Sequence, residues 1–407
     1  MTESTDINLT KQEKSPPEKP PSNLVDRISG INTGWIRSLL LPTLALLVAL
    51  IFGAVIIAVT DLEALALLKE DFGGGLLLMA EGVGLAYKAL FTGAFGSVYG
   101  LSETLFAATP LMLTGLAVAL GFRAGLFNIG ANGQMMIGGM AALWVALHID
   151  LPIFLHIPLA VLAAIIGGAL WAGISGLLKA ITGAHEVITT IMLNFIAFFL
   201  VEYLLTVPVF QQEGKTNPIS EFIPLSARFP QIFGADYRLS IGLILALLAT
   251  VFVSWLLFRS TWGFEFRAVG FNPTASRFAG MKVNGLIVLV MGISGALAGI
   301  AGANQVLGIS PYQVTSAFVG NIGFDAIALA LLGGSHPLGV FWASLLFGAL
   351  QAGGRAMQAS AQIPLDLVVV IQALIIVFIA APELVRAIFR VKPPEKEKTQ
   401  ITKGWGG

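Results

Sequence analysis

Apolar runs separated by short polar stretches recur along most of the chain. "SLLLPTLALLVALIFGAVIIAVT" (Ser38 to Thr60) and "IGLILALLATVFVSWLLF" (Ile241 to Phe258) are the clearest. About 20 apolar residues in a helix cross about 30 Å of hydrocarbon. The pattern therefore predicts an all-α fold, a polytopic transmembrane helical bundle of about ten spans. They fall near 38–60, 102–121, 127–148, 157–181, 187–208, 239–258, 284–307, 320–334, 337–356 and 363–385. The eighth is short, and with its lead-in "SPYQVTSAFVGN" it reads as a broken or re-entrant helix. The stretch from Gly73 to Gly96 is interrupted by Glu81 and Lys88, and reads as an interfacial or half-inserted segment on the outside.

A weak repeat runs through this pattern. "PLAVLAAIIGGALWAG" begins at Pro158 and "PLGVFWASLLFGALQAG" at Pro337; "NIG" occurs at Asn128 to Gly130 and again at Asn321 to Gly323. Matching spans 2–5 to spans 7–10 gives an offset of five. An odd offset turns the second copy upside down, the inverted repeat found among transporters.

Composition agrees with the class. The chain is 56% hydrophobic and 11% charged, with a mean hydropathy of +0.85, against about 25% charged in ordinary soluble proteins. Net charge is zero, which indicates neither an acidic nor a basic partner and gives no sign of nucleic-acid binding. The absence of cysteine excludes disulfides, thiolate zinc sites and cysteine nucleophiles. His148, Asp150 and His156 fall in one short loop and read as loop polarity in preference to a metal site.

Lysine and arginine placement orients the spans. With the N-terminus inside, the inner segments hold eleven: Arg27, Arg37, Arg123, Lys179, Arg259, Arg267, Arg277, Lys282, Arg386, Arg390 and Lys392. The outer segments hold six: Lys69, Lys88, Lys215, Arg228, Arg238 and Arg355. Both termini are therefore expected in the cytoplasm. Residues 1–36 read as a disordered, proline-rich cytoplasmic tail before an uncleaved first span, 37–386 as the transmembrane domain and 387–407 as a second cytoplasmic tail.

"GFRAGLFNIGANGQMMIGG" (Gly121 to Gly139) combines six glycines with Asn128, Asn132 and Gln134. Glycines such as those of "GALAG" (Gly295 to Gly299) and the series Gly168, Ala172, Gly176 suit close helix packing. Glycine with amides suggests instead an irregular turn, which survives at membrane depth only under protein cover or along a wet cavity. As the link between spans 2 and 3 it reads as a structural turn and gate at a cytoplasmic helix junction. Polar residues predicted inside spans also include Asn194, Asn304, Gln305, Asn321, Asp325, Gln351 and Gln372, with Asp325 the one acid among them. So few buried acids argue against an ion-driven carrier. An amide-lined path suits a neutral hydrogen-bonding solute.

"GKT" at Gly214 to Thr216 lacks the earlier glycine of a nucleotide-binding loop, because Val209 stands there, so the chain carries no ATPase motif of its own. The largest inner loop, 259–284, holds the signals of a separate short helix. Asn272 is a good N-cap, Pro273 suits the first helical position and Gly280 the left-handed position after the last turn. They outline about two turns carrying Thr274, Ser276, Arg277 and Phe278, as docking to a cytoplasmic motor subunit would need.

"FRAGLFNIGANGQMMIGG" and "FRAVGFNPTASRFAGMKVN" resemble signature segments of permease subunits of ATP-binding cassette importers, in the ribose and branched-chain amino acid permease superfamily. The nucleoside-type group, associated with a basic-membrane-protein type lipoprotein, is the most similar. "ALFTGAFGSVYGLSETLFAATPLMLTGLAVAL", "HEVITTIMLNFIA" and "GNIGFDAIALALLGG" carry the likeness further, over residues 85 to 385. The resemblance implies a second permease subunit, a cytoplasmic ATPase that uses the ATP, and an extracytoplasmic lipoprotein that delivers the solute; this chain binds no cofactor. It also implies that Asn272, Pro273, Arg277, Phe278 and Gly280 form the coupling element. Asn128, Asn132, Gln134, Asn321 and Asp325 are the candidate path residues, with Phe127 or Phe324 offering a face to a base. Import of a simple sugar such as ribose, or of a branched-chain amino acid, is the alternative within the family. An ATP-independent secondary transporter is the alternative outside it, and a membrane enzyme lacks any His/Asp/Glu constellation in the spans.

Overall fold

The computed structural model describes residues 34–234, 236–380 and 382–389, and each apolar run in it is a helix. In chain order these are α1 (Gly34–Thr60), α2 (Leu62–Glu70), α3 (Phe72–Phe95), α4 (Val98–Arg123), α5 (Ala131–His148), α6 (Ile153–Thr182) and α7 (Glu186–Leu204). There follow α8 (Gly242–Arg259), α9 (Thr261–Phe271), α10 (Pro273–Phe278), α11 (Val283–Leu307), α12 (Ile322–Leu332), α13 (Pro337–Ala361), α14 (Leu365–Ala380) and α15 (Pro382–Phe389). Of the expected tails, 1–33 and 390–407 lie outside the described residues; residues 34–36 already belong to α1 and 387–389 to α15.

All ten expected spans have a helix. Among the described residues, α1, α3, α4, α6, α7, α8, α11 and α13 are long and apolar enough to cross a membrane. α5 falls short of that group because Asn132 and Gln134 occupy its first turn, and α12 and α14 are too short. The eighth run is thus a half-length helix of 11 residues, preceded by irregular chain, as its sequence suggests.

α4 forms the centre. Of its apolar window 83% is buried, against 22% of that in α6 or α7. A helix that is apolar all round needs either lipid or protein on every side, and α4 is enclosed by α8, α11, α12 and α13.

The two halves are related as the repeat predicts. α11 packs along α6, and α4 packs along α13. Gly168 and Gly348 hold the same place in their "GAL-x-AG" copies; the first lies against Gly295 and Gly299, the second against Thr104 and Ala108. α4 ends and α11 begins at the same end of the bundle, since the Arg123 carbonyl abuts Gly270 in the α9 segment that leads through α10 into α11. Corresponding helices therefore run in opposite directions, which is an inverted arrangement.

α3 is one continuous helix of 24 residues, long enough to cross. Its second half packs along α13, with Leu90 against Gly353 and Gly93 against Ala356. It begins in a hairpin with α2, where Asp71 accepts the Gly73 N–H at 3.0 Å, and Gly82 returns beside Asp61 at the end of α1. It finishes where Thr104 donates to the Ala94 carbonyl at 3.0 Å, and α4 starts two residues later before running the full depth. The long connection 205–241 caps that same end, with Phe210, Ile223 and Phe229 buried beneath it. His156 is buried between Ser226 of this cap and the Val145 carbonyl, whereas His148 contacts the Trp144 carbonyl, so separate partners hold the two rings.

Candidate functional site

The glycine–amide stretch does not stay at a helix junction on the surface. After α4, Gly125 takes φ +70° against Gly270, and the Leu126 N–H returns to the Gly121 carbonyl at 2.9 Å. The chain then climbs back into the bundle. Asn128 is fully buried; its Nδ2 donates to Ser294 Oγ at 2.8 Å and to Gln134 Oε1 at 3.1 Å. Its Oδ1 accepts from Gly130 N–H at 2.9 Å and Gln134 Nε2 at 3.0 Å, while Ser294 donates onward to the Ala117 carbonyl at 2.7 Å. Ser294 stands about three turns into α11, roughly 16 Å from its start. The stretch read as a turn at a cytoplasmic helix junction thus reaches deeper than that junction: the segment is re-entrant, and its amides carry the hydrogen bonds that water would supply outside.

Asn132, one residue into α5, faces the second "NIG". Its Nδ2 donates to the Gly320 carbonyl at 2.9 Å and its Oδ1 accepts the Gly323 N–H at 2.7 Å. Gly323 is so close to the Asn132 backbone that a Cβ there would lie 2.4 Å from its nitrogen. The first turns of α5 and α12 therefore meet inside the bundle, and both present the positive ends of their dipoles there. Asn194 on α7 secures the α5 side, accepting the Gly133 N–H at 2.8 Å and donating to the Ile129 carbonyl at 2.9 Å.

The five predicted path residues thus divide. Asn128, Asn132 and Gln134 spend their amides on protein partners. Asn321 is exposed at the start of α12, with Phe324 45% exposed beside it. The half-buried Asp325 carboxylate has no hydrogen bond or ion pair among the described residues. Phe127 is also exposed, but near the other end, where its N–H contacts Glu186 Oε1 at 3.4 Å.

Two buried acids escaped the sequence reading, which found only Asp325 in the spans. Glu103 in α4 accepts from Arg238 and, at 3.0 Å, from Arg355, tying the cap and α13 to the central helix. Glu186 pairs with Lys179 at 2.5 Å across the α6–α7 turn. Both are neutralised by cations, so neither is a free ion-coupling acid. The signal was present in Arg238 and Arg355, two of the few cations assigned to the outer face.

At the opposite end from Glu103, the inner loop folds as its capping signals require. Asn272 Oδ1 accepts the Ala275 N–H at 3.0 Å, Pro273 opens α10, and Gly280 takes φ +86°. α10 has six residues, slightly under two turns, and is preceded by an unforeseen helix, α9, capped by Ser260 onto Gly263 N–H at 3.0 Å. Ser276 is buried, whereas Arg277 points outward and Phe271 and Phe278 are 95% and 90% exposed. Two nearly naked phenylalanines on a rigid, capped element form a surface suited to contact with another protein.

Inverted halves, helix N-termini meeting within the bundle and irregular backbone enclosed by protein are together the architecture of a membrane transport permease. Residues 100–380 match the family described as branched-chain amino acid transport system / permease component, and the chain belongs to that family. It is 43% identical over 318 residues to the guanosine ABC transporter permease protein NupP of Bacillus subtilis, covering 77% of this chain and 91% of that protein. It is 37% identical over 325 residues to the nucleoside ABC transporter permease protein NupB of Lactococcus lactis, covering 77% and 89%. It is likewise 37% identical over 320 residues to the glucose ABC transporter permease protein TsgB13 of Haloferax volcanii, covering 76% and 84%. No solved structure matches the chain. The chain is a multi-pass membrane permease of the ABC type, a class that works with ATPase and substrate-binding subunits.

Proposed function

We propose that this chain forms half of the translocation path of a nucleoside importer, beside a second permease subunit, and is driven by a cytoplasmic ATPase and fed by an extracytoplasmic lipoprotein. The observation that carries the substrate class is the likeness to the guanosine permease over nearly that protein's whole length. The site is compatible with a neutral solute: Asn321 and Asp325 offer acceptors for ribose hydroxyls, and Phe324 a face for a base. Asn128, Asn132 and Gln134 act one step back, holding α5 and α12 in place. Both termini lie in the cytoplasm, on the side of α10.

Uptake of labelled uridine and guanosine in cells lacking this chain and other nucleoside systems tests the assignment. Uptake restored by the chain is expected; equal uptake with and without it refutes the nucleoside reading. The likeness to the glucose permease supports a sugar as the second reading. Competition by ribose or glucose, but not by guanosine, for the cognate lipoprotein would select it.

In the same reading, α10 seats in the ATPase. Arg277 is exposed beside Phe278 and makes only a 3.5 Å contact to Asn284 Oδ1 within the chain. Arg277→Glu is therefore expected to leave folding and binding-protein affinity unchanged while lowering recovery of the ATPase about tenfold on co-purification, the size of one lost interfacial ion pair of about 1.4 kcal/mol. Normal recovery would argue against α10 as the coupling element.

A further inference from the structure

A basic pocket opens where two spans leave the membrane. Its volume is about 570 Å³, and it lies between Phe258 and Arg259 at the end of α8, Thr261, Glu265 and Arg267 in α9, and the link that leads into α11. Both α8 and α11 are long and apolar enough to cross a bilayer. The 18 residues of α8 rise about 27 Å, close to the depth of the hydrocarbon core. Arg259, the last of them, therefore stands at headgroup level.

The lining suits an anion. Two arginines against one acid leave it a net charge of +1. Arg259 has no hydrogen bond or ion pair among the described residues. Arg267 is held in place without being neutralised: its Nε donates to the Gly263 carbonyl at 3.2 Å, and its guanidinium lies over the Phe258 ring at 5.4 Å. Arg123, at 5.8 Å, and the stacked His336 ring, at 4.9 Å, pin that phenylalanine in turn. The start of α9 adds the positive end of its dipole, where Ser260 caps the Gly263 N–H at 3.0 Å.

The surroundings suit a lipid. Trp262 and Phe264 on α9 are exposed beside the pocket, and aromatic rings at this level favour the boundary between headgroups and acyl chains. Leu248, Val251 and Trp255 are exposed on α8, and their spacing of three or four residues draws an apolar stripe that ends at Arg259. A soluble anion would gain nothing from that stripe.

We infer that the pocket binds the headgroup of an anionic phospholipid, phosphatidylglycerol being the simplest, from the leaflet on the α10 side. Its phosphodiester sits between Arg259 and Arg267, its glycerol hydroxyls donate to Glu265, and an acyl chain follows the apolar stripe of α8. Bound there, the lipid ties α8 and α9 to the start of α11, the frame that carries α10. The inference does not depend on the transported solute.

The test titrates phosphatidylglycerol into the complete transporter in detergent and counts retained lipid by native mass spectrometry. Phosphatidylcholine with the same acyl chains and millimolar inorganic phosphate are the comparison arms. Preferential retention of phosphatidylglycerol, undisturbed by inorganic phosphate, is expected. Arg259→Gln should weaken it about tenfold, the weight of one lost charge-assisted contact to phosphate. The melting temperature without added lipid should not change, because Arg259 has no partner within the chain. Arg259→Lys keeps the charge but not the planar fork, so it should fall between the two, and it supplies the comparison if Arg259→Gln fails to assemble. Arg277→Gln removes the same charge outside the pocket and should leave retention unchanged. Equal retention by the parent and the Arg259 variants overturns the inference, as does equal weakening by Arg277→Gln, which would reduce the effect to general surface charge. Displacement by inorganic phosphate would make this a soluble-anion site, and retention only after the ATPase is stripped away would make it part of the ATPase interface; either result refutes the lipid assignment.

Discussion

Gly299→Leu is expected to prevent this permease from assembling. Gly299 lies where three helices meet: a Cβ there would stand 2.1 Å from the Ala164 carbonyl oxygen of α6, and the Cα of Gly299 would be 2.4 Å from a Cβ built on Gly138 of α5. The obstructing atoms are backbone, so no side chain can swing aside. Leucine must separate α6 from α11, and with it the pairing of Gly168 and Gly295, where a Cβ on Gly295 would stand 2.2 Å from the Gly168 carbonyl oxygen. In lipid there is no hydrophobic drive to restore the contact, because association depends on close packing itself. Overpacking of this kind costs upward of about 3 kcal/mol. Loss of a monodisperse peak in detergent and of all uptake is the expected readout. Gly173→Leu on α6 is the control, since nothing lies within 4 Å of a Cβ there. Equal behaviour of the two variants would refute the packing argument.

The second large effect is expected at Asn132. Asn132→Leu strands the Gly320 carbonyl and the Gly323 N–H inside the bundle, where each unpaired group costs about 1–3 kcal/mol. Unlike Gly299→Leu, it acts on the junction between α5 and α12, leaving the α6–α11 contact in place. Complexes should therefore still form in reduced amount, with uptake per assembled complex falling at least about tenfold because the first turn of α12 loses its tie. Asn132→Asp keeps the acceptor for Gly323 but places a negative charge toward the Gly320 carbonyl, and should fall between the two. Wild-type uptake per complex in Asn132→Leu would mean the junction is not part of the path.

Much of this was legible without coordinates because it depends on local chemistry. Hydropathy is read over a helix-length window, so ten helices emerged near their places, and the polar lead-in to residue 322 marked a broken one. Capping is made within a few residues, so Asn272, Pro273 and Gly280 outlined α10. The repeat survived as small residues because close approach demands them in both copies.

The sequence by itself determined the class, the helices, the inversion of the halves and the capped inner helix. Only the tertiary structure decided what the amides do. Asn128 meets Ser294, 166 positions away, and Asn132 meets Gly320 at 188, so no local window could pair them. The same holds for Glu103 and Arg355, 252 positions apart, whose mutual neutralisation turned an unnoticed acid into a clamp between cap and bundle. A hydrogen bond or ion pair at such distances exists only once packing has chosen which faces meet. For that reason the depth of the "NIG" junction came from the fold alone.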